Sequence, residues 1–167
     1  MSISLPEGYQ LKLGTKRDRN VLVNYMNLTY QELYPQQDNF EHLKTTVNQY
    51  FSPRTPFWLV ETIIESEARA TVGCLWMGKA IDQKDGESYA HIFLIFVAPE
   101  HRRRGLGKAL IKVAENYAQT QGARAIGLQV FANNQTAISL YQNVGFEIQS
   151  VSMIKSIKRI GSPLTPH

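Results

Sequence analysis

Three arginines, two glycines and a lysine lie between a long apolar run and an amphipathic segment. The motif consists of Arg102, Arg103, Arg104, Gly105, Leu106, Gly107, Lys108 and Ala109, and it follows the apolar residues 91–97. The first amide groups of a helix have no acceptor within the helix and lie at the positive end of its dipole. Glycines let an anion approach the main chain, and the basic side chains add positive charge. The spacing therefore predicts a pyrophosphate-binding loop at the start of a helix.

The glycine spacing excludes two common nucleotide-binding loops. A P-loop requires Gly-x-x-x-x-Gly-Lys-Ser/Thr, and a dinucleotide-binding loop requires Gly-x-Gly-x-x-Gly. Gly105 and Gly107 provide Gly-x-Gly, but Ala109-Leu110 stands where the third glycine of the second pattern would fall. The remaining pattern is Arg-x-x-Gly-x-Gly, with Arg102 first. A solvated basic turn before an ordinary surface helix is the alternative interpretation of this loop.

A second motif follows a predicted strand over residues 123–130. Asn134 is a favourable helix N-cap, because its side-chain oxygen can accept an amide hydrogen two or three residues later. Gly145 can supply the left-handed residue that ends a helix, and Phe146 begins another predicted strand. One face of the intervening helix carries the apolar and aromatic residues Ala137, Leu140, Tyr141 and Val144.

The two motifs resemble, in this order, the two signatures of the GNAT superfamily of N-acetyltransferases. The first is Arg-x-x-Gly-x-Gly, and the second is Asn-x-x-Ala-x-x-Leu-Tyr followed by Gly-Phe. The resemblance is specific over residues 92–146 and extends more loosely over the whole chain. It implies acetyl-CoA as the cofactor and acetyl transfer to an amine as the reaction. The cofactor-binding residues it implies are Phe96, Val97, Arg102, Arg103, Arg104, Gly105, Leu106, Gly107, Lys108, Ala109, Asn134 and Tyr141.

The elements around these motifs predict the order βααβββαβαββ. This order favours an α/β fold with a mixed, twisted sheet and helices on both faces, and it is also the order of the GNAT fold. We expect residues 1–160 to form a single GNAT domain and residues 161–167 to form a flexible tail. The predicted strands are residues 9–15, 57–64, 71–77, 88–97, 123–130, 146–149 and 151–157, and helices are predicted over 17–33, 40–51, 106–121 and in the second motif.

The resemblance also implies roles for three residues. A backbone amide near the end of the strand 92–97, from Phe96 or Val97, would polarise the thioester carbonyl. Such an amide is free only where strand pairing is broken, and the resemblance implies a β-bulge there. Tyr141 would act as the general acid that protonates the departing thiolate, and its alternative role is that of a core aromatic.

The general base stays open at this point. Members of the superfamily that acetylate protein N-termini often have glutamate twelve residues before the tyrosine, where this chain has Gln129. Many other members have acidic residues in the middle of the cofactor strand, where this chain has Phe93 and Leu94. We take His91 and Glu61 as candidate catalytic residues beside Tyr141, since a histidine has a suitable intrinsic pKa. The further candidates are Glu87, Glu32 and an ordered water.

The predicted substrate side is aromatic rather than acidic. Phe93, Phe131 and either Tyr30 or Tyr34 would line it, which suits a small apolar amine, an amino acid or a peptide end. We therefore expect direct transfer from acetyl-CoA to a primary amine of a small molecule or peptide. The alternative is a GNAT-fold acyl-CoA-binding sensor or interaction module that has lost the chemistry.

Composition sets further bounds on the 167-residue chain. The net charge of +4 is too small and diffuse to indicate nucleic-acid binding. The single cysteine, Cys74, cannot form an internal disulfide, which favours a reducing cytoplasm. Neither metal-ligand spacing, nor a signal peptide, nor a membrane-spanning run is evident. We expect a monomer or a homodimer, for which a terminal strand or an exposed sheet edge could provide the contact.

Overall fold

The computed structural model describes residues 3–64 and 68–161. The predicted turn at residues 65–67 and the predicted tail residues 162–167 lie outside this part of the chain. The elements are β1 (Tyr9–Leu13), α1 (Arg19–Leu33), α2 (Glu41–Tyr50), β2 (Phe57–Thr62), β3 (Thr71–Ile81), β4 (Ser88–Val97), α3 (Leu106–Thr120), β5 (Ile126–Leu128) and α4 (Gln135–Asn143).

The strands form one mixed sheet in the order β1-β2-β3-β4-β5. The pairs from β1 to β4 are antiparallel, and β5 lies parallel to β4. Each face of the sheet buries a separate apolar core. One core joins α1 and α2 to side chains such as Leu59 and Trp76, and the other joins α3 to side chains such as Leu75 and Met77. The predicted α/β fold with helices on both faces is therefore confirmed.

A β-bulge in β4 reverses the direction of its side chains. On β3, Trp76 pairs with Leu94 and Met77 pairs with Ile92, so Phe93 is the extra residue. Side chains alternate between the faces of a strand, and a bulge shifts that alternation by one residue. Accordingly Ile92 lies in the core under α3, whereas Leu94, two residues later, lies in the core under α1 and α2. The bulge that the resemblance implied is present.

The local signals around α4 are also confirmed. The side-chain oxygen of Asn134 accepts a hydrogen bond from the amide of Ala137 at 3.2 Å, which caps the helix. Gly145 has a φ of +100°, the left-handed conformation predicted for the residue that ends this helix. Among the described residues, no helix combines the length and the apolar character needed to cross a bilayer.

The prediction of strands at residues 146–149 and 151–157 is wrong for this structure. Residues 146–160 follow α4 without forming a strand. A strand needs a neighbouring edge for its main-chain hydrogen bonds, and apolar alternation alone does not supply one. Side chains that such strands would bury, including Val151 and Met153, are 78% and 90% exposed. β5 is also shorter than predicted, because it pairs with only three residues of β4.

The close packing of β3 against β4 predicts that Gly73→Ala destabilises the protein. A Cβ atom at Gly73 would lie 2.6 Å from the main-chain oxygen of Phe96, and a main-chain atom cannot move without displacing β4. We expect the free energy of unfolding to fall by about 1–3 kcal/mol, the usual cost of overpacking. Urea denaturation measures this change. A variant with the wild-type midpoint and slope would contradict the close approach of these two strands.

Candidate functional site

A cleft opens where β4 and β5 separate. The two strands pair only at Ala90 with Ile126, His91 with Gly127 and Ile92 with Leu128. Beyond this point, residues 93–97 of β4 have no partner on the β5 side within the described chain. Where parallel strands separate in this way, main-chain N–H and C=O groups lose their hydrogen bonds to the neighbouring strand. Such groups need other hydrogen-bond partners. The cleft is therefore a place where an extended ligand can replace the missing strand.

The bulge decides which amides face this cleft. The amide of Ala90 donates towards β5, to Ala125 O at 3.0 Å, whereas the amide of Ala98 donates towards β3, to Val72 O at 2.8 Å. In a regular strand, amides an even number of residues apart donate to the same side. The amides of Ala90 and Ala98 donate to opposite sides, so the bulge at Phe93 has reversed the alternation. After the bulge, the amides of Ile95 and Val97 therefore face the cleft, and the amide of Phe96 faces β3.

Ile95 is a residue that sequence reasoning missed. The prediction considered the amides of Phe96 and Val97, and the choice between neighbouring amides depends on the position of a single inserted residue. Nothing in the composition of β4 identifies Phe93 as that residue. The Phe96 side chain lies in the core, where its ring stacks on Tyr25 at 4.4 Å.

Arg102 fixes the end of β4 to the last turn of α1. Its Nε donates to the main-chain oxygen of Val97 at 2.8 Å, and its two terminal nitrogens donate to the Glu32 carboxylate at 2.5 and 2.9 Å. This charge-assisted pair raises the pKa of Arg102 and lowers the pKa of Glu32. The guanidinium is thus held by acceptors of the protein itself. The sequence gives no sign of the Glu32 contact, because the partners are 70 residues apart.

The loop after Arg102 exposes a row of amides at the N-terminus of α3. The Arg102 amide donates to Pro99 O at 3.2 Å, and the Ala109 amide donates to Gly105 O at 3.0 Å. Between them, the amides of residues 103–108 have no acceptor within the described chain. Arg103 and Gly105 have φ values of +61° and +83°, and turns of this kind gather successive amides around an anion. The geometry therefore fits the predicted pyrophosphate loop.

The basic side chains of the loop divide into two groups. Arg104 donates to the Tyr9 hydroxyl and to Glu100 O, both at 3.1 Å. Like Arg102, it therefore stabilises the conformation of the loop. Arg103 and Lys108 are exposed and make no hydrogen bond to any residue that the structure describes. These two side chains are therefore free to contact an anion held at the amides.

α4 packs directly against the first turn of α3. A Cβ atom on Gly107 would lie 3.2 Å from Cδ2 of Leu140, so only a small residue at 107 permits this approach. Tyr141 follows Leu140 and lies half-buried with its ring 5.6 Å from Phe146. Burial raises the pKa of the Tyr141 hydroxyl. The approach of Leu140 to Gly107 thus places α4, the helix that carries Tyr141, against the helix that begins at the loop.

Aromatic side chains from α1 and from the turn after β5 meet beside the cleft. Phe131 makes edge-to-face contacts with Tyr30 at 5.5 Å and Tyr34 at 5.3 Å. Asn133 Nδ2 donates to Leu33 O at 3.3 Å and ties the same turn to α1. We call Tyr30, Tyr34 and Phe131 the aromatic wall. Phe93, which was also predicted to line the site, instead packs 4.8 Å from Trp76 and 5.3 Å from Tyr50.

The structure does not bring the two candidate bases to the Ile95 and Val97 amides. Glu61 lies on β2, two strands from β4, where its carboxylate accepts from Gln10 at 2.9 Å and lies 3.9 Å from Lys12. His91 lies in the paired part of β4, four residues before Ile95 and about 13 Å away along the strand. Its Nδ1 is buried without a described partner, and burial lowers the pKa of its ring.

Comparisons with known proteins agree with this geometry. The sequence model of the Acetyltransferase (GNAT) family matches residues 20–146. An uncharacterized N-acetyltransferase of Methanocaldococcus jannaschii is 38% identical over 89 residues, or 52% of this chain and 38% of that protein. Mycothiol acetyltransferase of Kocuria rhizophila is 24% identical over 151 residues, or 88% of this chain and 48% of that protein. The chain therefore spans less than half the length of both relatives.

The fold is shared with solved structures of similar size. The crystal structure of a GCN5-related N-acetyltransferase from Ralstonia eutropha JMP134 superposes with a TM-score of 0.67. The superposition covers 90% of this chain and 99% of that chain at 17% identity. The backbone arrangement that separates β4 from β5 thus belongs to a known architecture.

The Arg102–Glu32 ion pair predicts a stability that depends on pH. Because the folded pKa of Glu32 lies below its ordinary value of 4.5, the pair contributes fully above that pH and is lost as the pH falls through the folded pKa. We expect Glu32→Gln to lower the free energy of unfolding at neutral pH by less than about 1 kcal/mol, since solvent screens this half-exposed pair. The difference between variant and wild type should vanish in acid.

Thermal unfolding of both proteins across a pH series measures this effect. Asp38→Asn is the control, because it removes an exposed carboxylate that forms no ion pair within the described chain. A Glu32→Gln difference that persists unchanged into acid would show that the pair does not act through its charge.

Proposed function

Because the chain belongs to the GNAT family of acetyltransferases, we propose that it transfers an acetyl group from acetyl-CoA directly to a primary amine of a small molecule or peptide. The observation that carries this proposal is the pair of cleft-facing amides, Ile95 and Val97, on the strand that leads into the anion-binding loop. Members of the family use acetyl-CoA as co-substrate, and this cleft offers a separate contact to each part of it.

The pyrophosphate of acetyl-CoA would bind to the amides of residues 103–108. These amides lie at the positive end of α3, and Arg103 and Lys108 add exposed cations beside them. Arg102 and Arg104 would act indirectly, because their guanidinium groups hold the loop in shape. Asn134 would keep α4 in register at the other side of the cleft, through its cap on Ala137.

The pantetheine arm would take the place of the strand that β4 lacks. Its amide groups would form hydrogen bonds with the main chain at Val97. The thioester carbonyl oxygen would accept a hydrogen bond from the Ile95 amide. A preorganised main-chain donor stabilises the negative charge that develops on this oxygen in the tetrahedral intermediate. Val97 O already accepts from Arg102, so the orientation of this edge is fixed before the cofactor binds.

Tyr141 would supply the proton that the leaving group requires. The amine nitrogen forms a bond to the carbonyl carbon, the carbon–sulfur bond breaks, and the thiolate of CoA takes the phenolic proton. The Tyr141 hydroxyl is protonated at neutral pH, since the ordinary pKa of tyrosine is about 10 and burial raises the pKa of Tyr141 further. Solvent then returns a proton to the phenolate and completes the cycle.

The acceptor amine would lose its proton to water rather than to a side chain. Glu32 and Glu61 hold other partners, and His91 lies away from the two amides. An enzyme without a base favours amines that are already neutral. An α-amino group with a pKa of about 7.7–8.0 is roughly a tenth neutral at pH 7, against about one in 2,500 for an alkylamine with a pKa of about 10.4.

The aromatic wall would select acceptors by the chemical group that carries the amine. Phe131 is 41% exposed, and its ring and those of Tyr30 and Tyr34 provide apolar surface beside the cleft. The proposed acceptors are accordingly amino acids, peptide ends and small amines with apolar groups. The single cysteine, Cys74, is buried in the core, which is compatible with a cytoplasmic enzyme.

Cofactor binding at the loop predicts that Gly107→Glu abolishes the stabilisation of the protein by acetyl-CoA. A carboxylate in the first turn of α3 would repel the pyrophosphate bound at the amides of that turn. Wild-type protein at a hundredfold excess of acetyl-CoA over Kd should gain about 2.7 kcal/mol of stability, seen as a rise in the thermal midpoint. CoA should give a similar rise and ATP a smaller one.

Two control variants isolate the cause. Gly107→Ala introduces the same Cβ against Leu140 without charge, and Lys112→Gln lowers the net charge by one on an exposed position of the same helix. Both should retain the acetyl-CoA response. An unchanged response in a folded Gly107→Glu protein would remove the loop from the cofactor site. A response without turnover of any amine in a panel of α-amino compounds would indicate a binding module.

The proposed acid predicts that Tyr141→Phe lowers kcat by 10- to 100-fold while the Kd of acetyl-CoA stays within about twofold, since general acid catalysis contributes roughly 10²-fold or more. Stopped-assay kinetics and equilibrium binding measure the two quantities separately. Tyr117→Phe is the matched control, because that half-buried ring on α3 faces Trp58 on the sheet. Full activity of Tyr141→Phe would exclude the hydroxyl from the reaction.

A further inference from the structure

The start of β1 contacts the loop that precedes α3. Tyr9 is the first residue of β1, and its hydroxyl lies 2.8 Å from Nδ1 of His101 and 3.1 Å from a terminal nitrogen of Arg104. The Tyr9 ring also packs edge to face against the His101 ring, at a centroid distance of 5.7 Å and an interplanar angle of 83°. The hydroxyl thus joins β1 to two residues that lie 92 and 95 positions later in the chain.

The donors and acceptors of this contact have one consistent arrangement. A guanidinium group only donates, so the Tyr9 oxygen accepts from Arg104. A hydroxyl that accepts from a cation donates its own hydrogen more strongly, and the acceptor within reach is His101 Nδ1. Nδ1 then carries no hydrogen, which makes His101 neutral with its hydrogen on Nε2. We call Arg104, Tyr9 and His101, bonded in this direction, the Tyr9 network.

Arg104 makes this network a constraint on the loop. Its other terminal nitrogen donates to Glu100 O at 3.1 Å, so the side chain bridges the two ends of the turn around Arg103. Arg103 has a φ of +61°, the one positive φ outside glycine in the part of the chain that the structure describes. A non-glycine residue in this conformation is strained and depends on neighbouring contacts that hold it. The bridge supplies such contacts, and Tyr9 fixes the position of the bridge.

A second contact joins the residues before β1 to the same loop. A Cβ atom on Gly105 would lie 3.8 Å from Cγ of Pro6. The Tyr9 amide donates to Pro6 O at 3.3 Å and closes a turn over residues 6–9. Ile3 and Leu5, which precede this turn, pack against the core under α3. Residues 3–9 are therefore anchored in the core and contact the loop at two points.

These contacts meet at the loop whose amides have no acceptor, and we infer that Tyr9 and His101 are positioning residues for the cofactor. The inference rests on the proposed function, in which the amides of residues 103–108 bind the pyrophosphate. A row of main-chain donors binds an anion tightly when the donors already point to a common place. Tyr9 orients Arg104, and His101 orients the hydroxyl of Tyr9. Both residues act through the loop, without a contact to the cofactor.

The place of the network determines which quantity it controls. The Tyr9 network lies at the loop, whereas the cleft-facing amides of Ile95 and Val97 lie on β4, which β3 holds in place. Loss of the network should therefore weaken the binding of acetyl-CoA and leave the transfer of a bound acetyl group nearly unchanged. A variant that acted by loosening the whole fold would change both quantities.

Tyr9→Phe tests this separation, because it removes the hydroxyl and keeps the ring in the core under α3. The Kd of acetyl-CoA should rise about 3- to 10-fold, as the loss of one or two hydrogen bonds predicts. The kcat at saturating acetyl-CoA should stay within about twofold. Tyr50→Phe is the matched control, since that ring lies on α2 and is 44% exposed. Absence of acetyl-CoA binding in the wild type would contradict the proposed function, whereas wild-type affinity in Tyr9→Phe would overturn the positioning role alone.

Two substitutions of His101 test its role as an acceptor. His101→Leu removes the acceptor and should raise the Kd of acetyl-CoA, whereas His101→Gln retains an acceptor oxygen and should raise it less. Tyr9→Phe combined with His101→Leu should raise the Kd no further than Tyr9→Phe alone, because both changes break the same network. Additive effects, or equal effects of leucine and glutamine, would overturn the inference.

The state of the His101 ring tests the network without any cofactor. NMR of protein with nitrogen-15 in its histidine rings distinguishes a ring nitrogen that carries a hydrogen from one that does not. In mildly alkaline buffer, where a free imidazole is neutral, wild-type His101 should carry its hydrogen on Nε2 alone. Tyr9→Phe should give a mixture of the two neutral forms. A hydrogen on Nδ1 of the wild-type protein would overturn the direction of the network and with it the role of His101.

Discussion

The site depends on a single interruption of main-chain hydrogen bonding between β4 and β5. Buried amides in a sheet are almost always paired, so amides that lose a neighbouring strand must find another partner. Here β4 keeps its pairing with β3 on both sides of the bulge and loses β5 after Ile92. The bulge at Phe93 then turns the amides of Ile95 and Val97 towards the gap. The two cores on opposite faces keep β4 in place while one of its edges stays open.

The end of α1 controls both sides of this opening. On the β4 side, Glu32 accepts two hydrogen bonds from Arg102, which itself holds Val97. On the β5 side, Leu33 accepts from Asn133, and Phe131 contacts the nearby tyrosines. Residues 30–34, at the C-terminal end of α1, therefore contact both sides of the cleft. In the proposed function, a shift of α1 would move the contacts to cofactor and acceptor together.

Features that depend on local chemistry could be predicted from the sequence. The start of α3 at Leu106, the cap at Asn134, the left-handed Gly145 and the bounds of β4 all follow from residue types within a few positions. Features that depend on distant partners could not. The orientation of Arg102 depends on Glu32, 70 residues away, and the choice of Ile95 over Phe96 depends on the position of a bulge.

Residues 146–160 show the same limit from the other side. Their apolar residues have the composition of a strand, but pairing is a property of two strands, and these residues pair with none in the described chain. The prediction of strands at residues 146–149 and 151–157 was wrong because a strand also needs a neighbouring edge for its main-chain hydrogen bonds. Composition therefore identified the apolar character of these residues, and only the structure showed that they remain outside the sheet.

The charges around the cleft explain how the proposed acetyl transfer would proceed without a carboxylate base. Glu32 is neutralised by Arg102, and the exposed Arg103 and Lys108 leave the loop positively charged. In the proposed reaction, a cationic amine near this charge would be repelled and partly desolvated, and each effect would lower its pKa. The neutral fraction of the amine would then rise, which would reduce the work that a base otherwise performs. A carboxylate placed there would reverse this effect by stabilising the ammonium form, so the proposed reaction favours a site without one.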